Sequence, residues 1–287
     1  MESKKTYDLA LSLGYSCGVS KALREAGLQF ASFPLDWVAV PDIVRSAEIV
    51  ASDFAHWIDR EALELFDVRR GSGFNTRVYF NRLTGIGFSH EFGDFQSFAE
   101  SYPKVVEMYS RRIARLKGLL EKSRRVLLVF LELPFRQCAA AADLARAREL
   151  LSSRYPNASF DLVYVYEDPA ASSPRVVSEK DGVTVLALDY RMFDHGEITH
   201  FVRSDSLTEY LRRNVTVCDY RTDAERERRR SVFESDTMCR WGRKGTMRSL
   251  VNRWAFRIFR HLEKYLMARG LVQREGPLWF FVRKGGV

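Results

Sequence analysis

No stretch of this chain stays apolar long enough to cross a bilayer. The longest run, Val126 to Phe135, is interrupted by Glu132 and falls far short of the about 20 residues a spanning helix needs. Cysteine is scarce as well. Cys17, Cys138, Cys218 and Cys239 are widely separated and form no C-x-x-C pair. A disulfide framework and a zinc finger are therefore not expected, and free thiols in the cytoplasm are the simplest reading. Eight prolines and seventeen glycines in 287 residues are too few for collagen-like or low-complexity sequence. The opening MESKKTYDLALSLG lacks the apolar core and small-residue cleavage site of a secretory leader. Missing too are the phosphate-loop, dinucleotide and H-E-x-x-H signatures. No RNA-binding aromatic motif occurs, so specific nucleic-acid recognition is not expected.

What the chain does have is aromatic surface: twenty Phe, twelve Tyr and five Trp, enough to build a large core. Hydrophobic residues at 46% and charged residues at 29% fit a globular fold. The formal charge of +8 is uneven. Residues 221–287 hold seventeen Lys or Arg against seven Asp or Glu, leaving 28 basic and 30 acidic side chains before them. A near-neutral α/β domain over 1–220 and a basic helical C-terminal extension over 221–287 follow as the expected division. An anionic partner for that extension is expected if its basic face is not simply solvated: a phosphate-rich ligand, an anionic membrane surface or, without sequence specificity, nucleic acid. Met247, Leu250, Val251, Trp254, Ile258 and Leu262 recur there at helical spacing, and Leu278 to Val282 reads as a last strand.

The body is read from its periodicities. Tyr7 to Leu13 is a short, largely buried strand ended by Gly14, and Val19 to Ala26 a helix closed by Gly27. Helical pieces are expected as far as Phe66, a hairpin from Arg77–Phe80 and Gly85–Phe88, and a long helix from Phe95 to Glu121. Arg125–Leu131, Phe160–Tyr166 and Val183–Leu188 are apolar without clean alternation, and Ala139–Arg154 between the first two is helical. Strands of that kind belong to a sheet buried on both faces. The fold class is therefore α/β, layered, with a mostly parallel sheet flanked by helices. A papain-like α+β arrangement is the alternative.

Cys17 is the leading chemical candidate. It stands where the first strand gives way to a helix, and unpaired amides with the helix dipole at such a position favour a thiolate. The amides of Gly18 and Val19 can serve as oxyanion donors. Gly14, Ser16 and Gly18 of the turn are candidate substrate contacts, with Trp37 and His195. The alternative for Cys17 is a small buried residue filling a tight turn. A base is needed, and His90 in Phe88-Ser89-His90-Glu91-Phe92 sits at a strand end among aromatics, with Glu91 and Asp94 close by. His195 follows the third strand of the α/β run, where ligands of such sheets bind. His195 and His200 are spaced i, i+5, off a common helical face, and no metal site is assigned. Asp36, between Leu35 and Trp37, admits two roles: bonding backbone amides of the Cys17 turn, or orienting a histidine.

Ser12-Leu13-Gly14-Tyr15-Ser16-Cys17, Phe33-Pro34-Leu35-Asp36-Trp37 and Phe88-Ser89-His90-Glu91-Phe92 together resemble an uncharacterised bacterial family described as putative papain-like cysteine peptidases. Its pattern runs S-L-G-x-x-C, a P-F-D-W-like segment, then F-x-H-D-F. Leu35 stands here for the usual Phe and Glu91 for the usual Asp. The resemblance implies Cys17 as nucleophile, His90 as base and Asp36 as third member or scaffold, acting on a peptide, acyl or glycan substrate without a cofactor. In esterases of the Gly-Asp-Ser-Leu type a nucleophile likewise follows the first strand, and the Gly-x-x-Cys turn is similar to that of acetyltransferases of capsular polysaccharide biosynthesis. The latter similarity implies the alternative of an acyltransferase using coenzyme A. A non-enzymatic anion-binding module is the reading from outside the enzymes.

Overall fold

The structure, a computed structural model, describes residues 3–14, 17–69, 76–93, 96–132, 138–168, 170–171, 173–188, 193–194, 197–198 and 204–221. The chain divides into two compact units, Met1–Tyr220 and Arg221–Val287. Apart from Arg221, the expected basic helical extension lies outside the described residues, as does the strand read over Leu278 to Val282. In chain order the first unit runs β1 (Lys5–Tyr7), β2 (Leu9–Ser12), α1 (Cys17–Glu25), a 3-10 turn (Pro34–Trp37), β3 (Val38–Ala39) and α2 (Ile43–Ala51). Next come β4 (Leu63–Arg69), β5 (Thr76–Asn81), β6 (Ile86–Gly93), α3 (Phe98–Leu120), β7 (Arg125–Leu131) and α4 (Ala141–Arg154). β8 (Ser159–Glu167), β9 (Arg175–Lys180), β10 (Val183–Leu188), β11 (Phe193–Asp194), β12 (Glu197–Ile198), α5 (Ser204–Asn214) and β13 (Val215–Val217) complete it.

The principal sheet has the order β2-β7-β8-β10-β9. Its first four strands are parallel, with Ser12 opposite Val129 and Leu131 opposite Val165, and β9 closes one edge antiparallel. Both faces are buried, so its apolar runs feed two cores. Leu9, Leu11, Val126, Leu128 and Phe130 face one core, with Ala47 of α2, Tyr109 of α3 and Leu144 of α4. Ala10, Leu127, Val129 and Leu131 face the other, with Leu23 of α1 and Leu211 of α5. Strict alternation of apolar side chains between two covered faces is what made these strands read as continuous. This is the mixed α/β architecture with a mostly parallel, helix-flanked sheet.

A second sheet, β3-β6-β5-β4, is antiparallel. It contains the expected hairpin, lengthened to β5 and β6. The helical reading toward Phe66 is overturned: Leu63–Arg69 is the edge strand β4, carrying Leu65 and Phe66 more than half exposed. A bulge between Leu65 and Asp67 breaks the alternation that would have signalled a strand.

Two local features aim the site. Gly14 has φ +101, and a Cβ there would come within 2.9 Å of a Val40 methyl. Only glycine takes that backbone at that spacing, so the segment after β2 packs directly on the chain leaving β3. At the far end of α1, Gly27 has φ +75 and the Leu28 N–H returns to the Leu23 carbonyl, a left-handed stop that turns the chain toward Asp36.

Candidate functional site

Cys17 is the first residue of α1, at the carboxyl edge of the principal sheet, and it is half-buried with a free thiol. Ser20, Lys21 and Arg24 follow it at spacings of three, four and seven, on the same helical face. That face meets the Pro34–Trp37 turn. The buried Asp36 carboxylate accepts hydrogen bonds from Ser20 Oγ at 3.0 Å, Arg24 Nη2 at 3.0 Å, Gln29 Nε2 at 2.7 Å and its own turn's Phe33 N–H at 2.8 Å. Ser20 Oγ also donates to the Asp36 carbonyl. The carboxylate thus clamps the turn onto α1. Its bonds run to the side of the helix beyond Cys17 rather than to amides of the Cys17 turn, and no imidazole is among its partners within the described residues.

The next residue extends the clamp to the third motif. Arg24 lies over the Trp37 ring, 5.2 Å from its centroid, and the His90 imidazole meets that indole edge-on at 6.2 Å. Backbone pairing gives the same neighbourhood, since Val38 opposes Phe88 and Ala39 opposes Gly87 where β3 runs antiparallel to β6. His90 itself is exposed. The adjacent Glu91 turns away: its carboxylate accepts from the His90 backbone N–H at 3.0 Å and the Tyr109 hydroxyl at 2.9 Å. It fixes the strand that carries the histidine and ties that strand to α3, instead of holding the ring. Asp94, Ser16 and His195 lie outside the described residues. Gly14 and Gly18 are both buried, and Trp37 is half-buried.

The electrostatics differ from the sequence expectation in one respect. Burial raises the Cys17 thiol above its usual value near 9.0, outweighing the backbone hydrogen bond and the Lys21 ammonium that pull it down. Burial likewise raises Asp36 despite its four donors, and raises Glu91 despite the His90 amide and Tyr109. The dipole argument for Cys17 is correct in sign but too small, because desolvation of a thiolate costs more than one helix end returns. At neutral pH Cys17 is therefore a thiol. Its alkylation by iodoacetamide is expected to climb about tenfold per pH unit from pH 7 toward pH 9, because only the thiolate reacts. Site-resolved mass spectrometry measures this, and a rate already flat below pH 8 would instead reveal a preformed thiolate–imidazolium pair.

Sequence reading passed over Glu132 as a site residue. It follows β7 at the same carboxyl edge, three residues past Val129, whose carbonyl accepts the Leu13 N–H. It is buried, 4% exposed, and accepts a 2.8 Å hydrogen bond from the Tyr164 hydroxyl. The available signal was an acid interrupting an otherwise apolar run at a strand's carboxyl end.

Among the described residues, no helix is long and apolar enough to cross a membrane. A family model described as "Putative papain-like cysteine peptidase" matches residues 8–166, more than half of the chain. An uncharacterised protein of Acanthamoeba polyphaga mimivirus is 30% identical over 135 residues, a match covering 42% of this chain and 60% of the viral one. The match thus spans about 60% of that relative's length. No solved structure matches.

Proposed function

Because the chain belongs to the family described as "Putative papain-like cysteine peptidase", we propose that it is a cysteine-dependent hydrolase of an acyl or peptide carbonyl, with Cys17 as nucleophile and His90 as base. His90 takes the Cys17 proton as the sulfur attacks the carbonyl carbon, and N–H groups of the first turn of α1 hold the developing oxyanion. Collapse breaks the bond to the leaving group, which takes the proton back from the imidazolium. Water, deprotonated by the same imidazole, then hydrolyses the thioester and restores the thiol. A raised thiol pKa gives the base a real task, since a resting thiol needs proton removal in the attacking step.

The observation that supports this most is the convergence of three sequence-distant segments. Asp36 binds Ser20 and Arg24 of the Cys17 helix, and Trp37 lies between Arg24 and His90. Nothing in packing alone requires a buried acid, an indole and a solvent-facing imidazole to meet along the helix that Cys17 begins. In this reading Asp36 is a scaffold, and Trp37 is the apolar wall against which a substrate lies.

A peptidyl vinyl sulfone tests the proposal, because it reacts irreversibly with a nucleophilic sulfur that its peptide part has positioned. Cys17 is expected to be modified at least about tenfold faster than the exposed Cys138 and Cys218, as effective concentration outweighs exposure. Tryptic mapping provides the readout. Equal modification of all three, or modification confined to the exposed pair, sinks the assignment.

A further inference from the structure

A strip of contacts leads from His90 onto α3. The imidazole meets the Trp37 indole, Arg24 of α1 lies over that indole, and Arg24 Nη2 donates to Ser32 Oγ at 3.1 Å. Arg115 of α3 reaches the same serine and donates from Nη1 to its carbonyl at 3.1 Å. Ser32 thus joins the Cys17 helix to α3 through two cations.

The charges along this strip do not balance. Arg24 is answered by the buried Asp36 at 3.0 Å. Arg112, one turn before Arg115, lies over the Tyr109 ring and holds down the Glu91 carboxyl, which turns inward to the Tyr109 hydroxyl. Elsewhere on the two helices, Glu25 pairs with Lys21 at 3.7 Å and Glu107 with Arg111 at 4.0 Å. Arg115 is exposed, and among the described residues no carboxylate lies within ion-pair distance of it. Its hydrogen bond to Ser32 fixes the guanidinium and leaves donors to spare. Held by two oxygens of one residue, Arg24 and Arg115 also repel each other through physiological salt, whose screening length is about 8 Å. An anionic oxygen at Arg115 relieves that repulsion, and the guanidinium fork matches a carboxylate.

We propose that the substrate is an acidic peptide, with a Glu or Asp side chain that Arg115 receives while the peptide lies across Trp37. The inference rests on the reading of Cys17 and His90 as the reacting pair and adds to it a specificity residue from α3. Trp37, Arg24 and Ser32 intervene between His90 and Arg115. At about 3.3 Å per extended residue, the acid therefore lies about three or four residues from the scissile carbonyl. A lysine at that place meets the same unanswered charge and is rejected.

Peptidyl vinyl sulfones differing in a single residue, Glu, Gln or Lys, test this through the rate of Cys17 modification, the residue being moved stepwise away from the reactive group. At one position Glu is expected to react about tenfold faster than Gln, and Lys slower than Gln, as for one charge-assisted hydrogen bond. Arg115→Glu is expected to invert the order of Glu and Lys there, which loss of structure alone could not do. Equal rates for Glu and Gln at every position, with Cys17 still modified selectively, overturn the inference and leave the nucleophile standing. If no reagent prefers Cys17, the nucleophile reading falls, and arginine modification decides the acidic-peptide strip by itself. Acetyl-triglutamate amide is expected to protect Arg115 from phenylglyoxal by about threefold or more, and acetyl-triglutamine amide not to protect it. Equal protection by the two peptides overturns the inference, as does inorganic phosphate protecting as well as triglutamate, which would mark a phosphate site. Both readouts are taken at single named residues, so peptide held by the basic residues 221–287 moves neither.

Discussion

Cys17→Ala is expected to reduce turnover of any ester or peptide substrate by about 10³-fold or more, with the melting temperature little changed. The loss is large because the covalent route disappears altogether, leaving only whatever binding and oxyanion stabilisation do for attack by water. The fold should tolerate the change, since the side chain is small and only half-buried at a helix start. His90→Gln provides the complementary experiment. Loss of a general base costs about 10²–10⁴-fold, but here the residual rate should depend on pH in a defined direction. Burial holds the Cys17 thiol above its usual value near 9.0. Without a base, attack must await spontaneous ionisation, so kcat/KM of the His90 variant should rise steadily with pH through and beyond 9, while the native enzyme levels off lower. If Cys17→Ala keeps native turnover, or the His90 variant loses activity with an unchanged pH profile, the assigned pair is wrong.

How much of this was visible in the sequence depended on burial. β7, β8 and β10 were readable because both faces of the principal sheet are covered along them, so their central positions are apolar on both sides. β9 was not. Its six residues, Arg175 to Lys180, are all exposed, and a strand that buries neither face has no pattern to reveal it. β4 failed for a related reason, with an edge position and a bulge in place of alternation. β1 and β13 are three residues each and exist by pairing with one another across the length of the unit, a non-local fact that no window contains.

The same division runs through the site. Cys17, Asp36 and His90 could be picked out as residue types in unusual company, an acid between Leu35 and Trp37 or a histidine among phenylalanines. Their relations could not. That Asp36 is received by Ser20 and Arg24 follows only once the Gly27 stop folds the chain back along α1. The thiol's direction of shift was misjudged because a helix end is local and legible, whereas desolvation depends on everything packed around the sulfur. Glu132 was noticed as an interruption, but its meaning depended on β7 lying next to β2.

Asp36→Ala should be the most damaging single change to stability, at about 3–5 kcal/mol, the range for removing one member of a buried ion pair. It strips the acceptor from Arg24, Gln29, Ser20 and the Phe33 amide at once, and it opens a void in a site with no solvent access. For a domain whose whole margin is about 5–15 kcal/mol, partial unfolding at growth temperature is the expected outcome, read as a lowered midpoint in urea. Asp36→Asn separates charge from shape. Its amide oxygen can take the three donors now on Oδ2, and its NH₂ can donate to Ser20 Oγ, so its cost should be well below that of alanine. The pH dependence follows from the raised Asp36 pKa. A carboxyl whose folded pKa lies above its unfolded value adds stability when protonated in both states and loses that contribution as pH rises through the folded pKa. The native chain should therefore gain on the asparagine variant as pH falls from neutral through that raised value. A gap that moves the other way would mean that Arg24 and the amide donors dominate over burial, and that the clamp is held by its charge.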